Sequence, residues 1–231
     1  MPGTAHSGST DILRHWRPRC TVCAIEQGSP VCTGCERDFS APDAARCRRC
    51  AERVATPNTV CGACLAHPPH FDETTALADY LAPVASMVTA LKFGGRIDLA
   101  DCFARLLARR ESPGERADWV LPVPLSFERE GERGFNQARE IARGYARLTG
   151  VPLGEGILWR VRHSPPRQSL AREARRRNVR GAFAVDGPIA GRSLIVVDDV
   201  MTTGSTLDEI ARVLKAAGAA RVVNRVVART P

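Results

Sequence analysis

The chain has 231 residues, 44% of them hydrophobic, and a formal net charge of +8, enough apolar content for one core of ordinary domain size plus a small appendage that needs another source of stability. No apolar stretch of secretory type lies in the first thirty residues and no run approaches the ~20 apolar residues of a membrane span; these features exclude a secreted or membrane-integral reading and predict a cytoplasmic protein. Charge is concentrated: eight Arg and one acid, Glu173, lie between Arg160 and Arg180, a segment that suits an anionic partner and a merely solvated Arg-rich face equally well.

In chain order, residues 1–18 are expected to form a disordered leader and a short helix, and 19–66 a double zinc ribbon. Eight of nine cysteines fall in four CxxC pairs, Cys20 with Cys23, Cys32 with Cys35, Cys47 with Cys50 and Cys61 with Cys64. Two thiolates spaced this way reach one tetrahedral Zn²⁺, so two pairs fill one Cys₄ shell and four pairs fill two. A disulfide framework would need an oxidising compartment. The few large apolar residues between the ligands make the metal a requirement of folding. Sequential and cross-braced pairings both satisfy the coordination. His67 and His70 are alternative ligands that eight thiols leave redundant, and Cys102 falls on the apolar face of a helical pattern as a core residue.

Residues 67–231 read as an α/β domain with a mostly parallel sheet flanked by helices. Val84, Met87, Val88 and Leu91 predict a helix stopped by Gly94-Gly95, and a second helix follows to about Arg110. Trp119 to Val123 predicts a buried strand, followed by a polar loop, SFEREGERG, and an amphipathic helix from Phe135 to Leu148 ended by Gly150. Leu194 to Val197 and Val222 to Val227 are strand-like, with a helix from Leu207 to Ala217 between them. Trp16, Trp119 and Trp159 read as packing residues. Asn136 and Gln137 precede a helix, where capping competes with ligand binding as their explanation.

The string VDDVMTTGST carries the most specific chemistry. A short buried strand would deliver Asp198 and Asp199 to the carboxyl edge of the sheet, where open α/β folds bind ligands. Their carboxylates can accept hydrogen bonds from adjacent sugar hydroxyls. Beyond them Met201, Thr202, Thr203, Gly204, Ser205 and Thr206 form a small, hydroxyl-rich turn whose amides can surround a phosphate at a helix N-terminus, with Gly204 allowing close approach. An isolated Asp pair would more simply end a strand and cap a helix; the whole string resembles the ribose-phosphate signature of type I phosphoribosyltransferases.

LKFGGR at 91–96, PVPLS at 122–126, RGFNQA at 133–138, RQSLAREARRRNVRGAF at 167–183 and the CxxC-rich head extend the resemblance to the ComF family. This likeness implies a phosphoribosyltransferase-like domain carrying a double zinc ribbon, in a family associated with DNA uptake during bacterial competence. It implies catalytic roles for Asp198 and Asp199, Mg²⁺ accompanying phosphoribosyl pyrophosphate, and pyrophosphate contacts from Lys92, Ser126, Arg133 and Arg167. Arg167, Gln168 and Arg172 resemble a mobile cover over the ligand.

Two functions follow. One is Mg²⁺-dependent phosphoribosyl transfer to an unidentified acceptor. The other is a non-catalytic adaptor or single-stranded DNA binder of the uptake machinery, using Arg172, Arg175, Arg176, Arg177 and Arg180, since three consecutive Arg on a helix cannot all face one small ligand. An aromatic content of 5% weakens a base-stacking platform.

Overall fold

The computed structural model describes residues 19–26, 28–40, 45–57, 59–111, 117–161 and 179–231. Its first half comprises α1 (Thr33–Phe39), α2 (Gly62–Ala66), β1 (Glu73–Asp79), α3 (Val84–Phe93), α4 (Asp98–Ala108), β2 (Trp119–Pro122) and α5 (Phe127–Arg133). Its second half comprises α6 (Gln137–Thr149), β3 (Leu158–Arg160), β4 (Phe183–Val185), β5 (Ser193–Met201), α7 (Ser205–Ala216) and β6 (Arg221–Arg229). Four strands pair in parallel in the order β1, β6, β5, β2, while β3 and β4 form a short antiparallel hairpin. Leu194 to Val197 are buried in a run without alternation because both faces of this sheet are covered. On one face Leu77, Val120, Ile195, Val197, Val223 and Val227 pack under α3, α4 and α6. On the other, Leu121, Leu194, Val196, Val222 and Val226 pack under α7 and the hairpin.

Helix boundaries follow local chemistry. Asn136 accepts the Ala138 and Arg139 amides and starts α6, and Gly150, at φ +74°, ends it in the left-handed region. The segment read as a polar loop after Ser126 is instead the helix α5, with Glu128 and Glu130 in its first turn and Gly134 at φ +75° as its stop. β5 runs through to Met201, so the two aspartates lie inside the strand rather than beyond it: Asp198 registers with Val226 and Met201 with Arg229. Trp159 is 51% exposed and is not a packing residue, whereas Trp119 packs partly against the core under α7. Trp16 lies outside the described residues. Among the described residues no helix is long and apolar enough to cross a membrane.

A charged pair is built into the sheet. Arg225, in the middle of β6, is 1% exposed and grips Glu111 with Nε to Oε1 at 2.6 Å and Nη2 to Oε2 at 2.9 Å. Burial works against the Glu111 carboxylate, yet the Arg225 guanidinium holds it below its ordinary range.

Candidate functional site

The thiols gather in sequence order. Cys20, Cys23, Cys32 and Cys35 form one group and Cys47, Cys50, Cys61 and Cys64 another, with the Sγ atoms of each group within 4.8 Å of one another. The two are built alike. The Cys20 amide donates to Ile25 and the Cys47 amide to Glu52, both at the turn after a CxxC pair, and Ala24 and Ala51 close these turns at φ +59° and +57°. Backbone amides aim at sulfur, from Cys32 to Cys20 Sγ at 3.3 Å and from Cys61 to Cys47 Sγ at 3.3 Å. Burial alone would raise the Cys20 and Cys47 thiols, but these amides and their neighbours outweigh it and hold them at about 6 and about 7. The nearby sulfurs, chiefly Cys32 for Cys35, and burial for Cys64, push those two the other way. Four sulfurs crowded in this manner repel as thiolates and suit one thiophilic cation, and each group fits the Cys₄ shell of a structural zinc. Neither His67 nor His70 joins a group; His70 Nδ1 instead lies 3.0 Å from Asp208 Oδ1.

The first group docks on α4, where the buried Glu36 accepts Arg105 Nη1 at 2.9 Å and meets Arg109 at 3.5 Å. Beside it the Cys102 thiol is buried and pushed up to about 12. The second group sits at the carboxyl edge of the sheet. There Asp79, at the end of β1, accepts Arg46 Nη2 at 2.8 Å and Arg53 Nε at 2.6 Å.

The remaining candidates converge on that edge from three strands. Asp199 is 4% exposed and meets Lys92 Nζ at 2.8 Å across the end of α3, so two residues 107 positions apart form one charged pair. Asp198 Oδ1 accepts its neighbour's amide at 2.9 Å. Beyond them the chain turns at Gly204, φ +78°, which starts α7; Thr203 and Ser205 hydroxyls lie 2.8 Å apart. Met201 is buried, and a Cβ at Gly204 would be strained by its φ of +78° and would push aside the Met201 methyl, whose Cε it would meet at 2.5 Å. Ser126 Oγ is buried without a hydrogen-bond partner among the described residues. Arg133 stacks 4.9 Å over the Phe93 ring and donates to Gln137. Asn136 is occupied as a cap and as a donor to the Val123 carbonyl at 3.0 Å. Arg167, Gln168, Arg172, Arg175, Arg176 and Arg177 lie outside the described residues.

Between the second thiol group and the turn opens a cavity of about 550 Å³, with Pro68, Phe71, Arg180, Thr202, Asp208 and Arg229 among its walls. Arg180 is thereby placed at a cavity near the turn. Arg229 had no signal in sequence: it ends a valine-rich strand, where a charged residue reads as solvated.

Residues 146–231 match the family described as phosphoribosyl transferase domain. Over 216 residues the chain is 34% identical to a DNA utilization protein, YhgH, of Salmonella typhimurium, covering 91% of this chain and 89% of that one. It is 29% identical over 197 residues to competence protein F of Haemophilus influenzae, covering 81% and 85%. A solved glutamine phosphoribosylpyrophosphate amidotransferase of B. subtilis is similar over 55% of this chain and 25% of its own, at 26% identity and a TM-score of 0.39.

Proposed function

The chain belongs to the ComF family, and from that premise we propose that residues 198–206 bind the ribose phosphate of phosphoribosyl pyrophosphate or a related nucleotide, in the service of DNA uptake. The observation that carries this reading is the pairing of Asp199 with Lys92 at 2.8 Å beside a turn that opens α7 on a left-handed glycine. The pair keeps a carboxylate and an ammonium together at the edge of a parallel sheet, the place where such sheets take ligands. Asp198 and Asp199 accept the sugar hydroxyls. The amides and hydroxyls of residues 202–206, at the positive end of α7, hold the 5-phosphate. Lys92 is then in reach of the pyrophosphate, with Ser126 and Arg133 supplied by the start and the end of α5. Mg²⁺ bound with the pyrophosphate would offset its charge. Transfer to an acceptor would ask of the same residues that Lys92 and Arg133 stabilise the departing pyrophosphate and that the Asp carboxylates support the cationic ribosyl group. The names of the relatives, DNA utilization and competence proteins, support a link to DNA; zinc at the two thiol groups keeps the head folded against the domain.

A thermal-shift experiment with phosphoribosyl pyrophosphate and Mg²⁺ tests this reading. At a ligand concentration of 100 times Kd, stability rises by about 2.7 kcal/mol, a Tm increase of roughly 5–10 °C for a chain of this size. Replacing both Asp198 and Asp199 by Ala abolishes the increase. A wild-type protein whose Tm does not respond would refute ligand binding. Retention of DNA affinity by a protein that ignores the nucleotide would favour the adaptor function.

A further inference from the structure

One side chain touches both the second thiol group and the turn. Arg229, at the end of β6, is 8% exposed. Its Nε donates to the carbonyl of Cys50, a member of the group, at 3.1 Å, and its Nη2 to Glu52 Oε2 at 2.7 Å. Its Nη1 faces the other way, toward the carbonyls of Met201, Thr202 and Thr230. The Thr230 amide in turn donates to Met201 at 3.0 Å. A guanidinium is a rigid planar fork, so its donors meet both sets of acceptors only when knuckle and turn are held at one separation. Asp79 fixes the same knuckle to the neighbouring strand through Arg46 and Arg53, and Arg229 carries its position into the turn by hydrogen bonds. The first group is anchored differently, through Glu36 to Arg105 and Arg109 on α4, and among the described contacts it reaches no residue of the turn.

We propose that Arg229 is a positioning residue that makes ribose-phosphate binding by residues 201–206 conditional on an intact, metal-loaded second thiol group, and independent of the first. This rests on the ribose-phosphate reading of that turn. The Cys50 carbonyl and the Glu52 carboxylate fix the plane of the guanidinium; the guanidinium fixes the Met201 and Thr202 carbonyls; and those peptide planes set where the following amides point. Loosening the knuckle, by loss of metal or oxidation of its thiols, releases the turn without altering any residue that would touch the ligand.

The test uses the full chain, with zinc content measured for every variant and two readouts. One is calorimetric affinity for ribose 5-phosphate. The other is hydrogen exchange of the amides at 201–206 in the ligand-free protein. Arg229→Gln, with both metals retained, is expected to weaken affinity about tenfold or more and to speed exchange in the turn. Arg229→Lys is expected not to rescue it, because an ammonium cannot span both acceptor sets. Cys61→Ser, which opens the second group, reproduces the loss, and Glu52→Gln gives a smaller one. Arg105→Gln loosens the docking of the first group and leaves affinity and turn exchange unchanged. Unchanged exchange and affinity in Arg229→Gln would overturn the proposal, as would an equal loss in Arg105→Gln, which would mark general destabilisation. Should the wild type fail to bind ribose 5-phosphate, the ribose-phosphate reading falls by itself, and turn exchange in Arg229→Gln and Cys61→Ser decides the coupling.

Discussion

Stripping metal from the two thiol groups with a strong chelator at neutral pH is expected to unfold residues 19–66 and expose their eight thiols to alkylation. The buried residues of this region are chiefly cysteines and small side chains, Cys20, Val31, Cys47, Ala51 and Cys64, too little apolar area to hold a fold unaided. Structural zinc in small Cys sites contributes about 10–16 kcal/mol at pH 7, as much as the whole stability of an ordinary domain, so no single side chain should matter more. Cys102, on the buried face of α4, is 2% exposed with its thiol pushed up to about 12; it lies against Glu36 of residues 19–66, so it loses part of its cover and reacts more slowly than the other eight. Since protons compete with the cation for thiolate, metal release should move to lower chelator concentration as the pH falls. Mass spectrometry of alkylated protein reads the count. Full retention of the fold and of thiol protection in the metal-free protein would contradict a structural role.

The second large effect lies in the sheet. Glu111→Ala removes the carboxylate that grips Arg225 Nε and Nη2, and the guanidinium, 1% exposed, loses its bidentate partner. Breaking a buried pair in this way costs about 3–5 kcal/mol. The expected fall in Tm, at the lower bound of that cost, is roughly 6–12 °C. Removing both charges, as Glu111→Ala with Arg225→Met, should recover much of it, because the buried guanidinium is removed together with its carboxylate. The pair also fixes an acid limit. Glu111 is held below its ordinary range in the folded protein, so its contribution is complete above the unfolded value of about 4.3 and is lost as the pH falls through the folded value. Thermal melts of the single and double variants check this; a double variant no more stable than the single one would count against it.

Where residue type alone dictates the outcome, the fold was legible in sequence. Four CxxC pairs announced two metal-binding groups, although their pairing in sequence order became visible only when the Sγ atoms were brought together. The run from Leu194 to Val197 marked a strand buried on both faces, and Asn136 and Gly150 bracketed α6. β1 was hidden because ETTALAD lacks the aromatic and Val/Ile content of a strand and is held by its register with β6. The segment SFEREGERG is polar all round and α5 has no buried residue, so it gives no apolar stripe to read. At the site, Asp198, Asp199 and the MTTGST turn stood out as a contiguous string. The approach of Lys92 to Asp199 depends on how α3 crosses the sheet. Arg229 was the least visible, since its partners lie 28 and 179 residues away in sequence.

The central claim, that residues 198–206 hold a ribose phosphate, is tested most directly by titrating the metal-loaded wild-type protein with phosphoribosyl pyrophosphate in a calorimeter, with and without Mg²⁺. The account predicts saturable binding at one site per chain, tighter with Mg²⁺, and displaced by ribose 5-phosphate. Absence of saturable heat under both conditions, from protein carrying both metals, would contradict it.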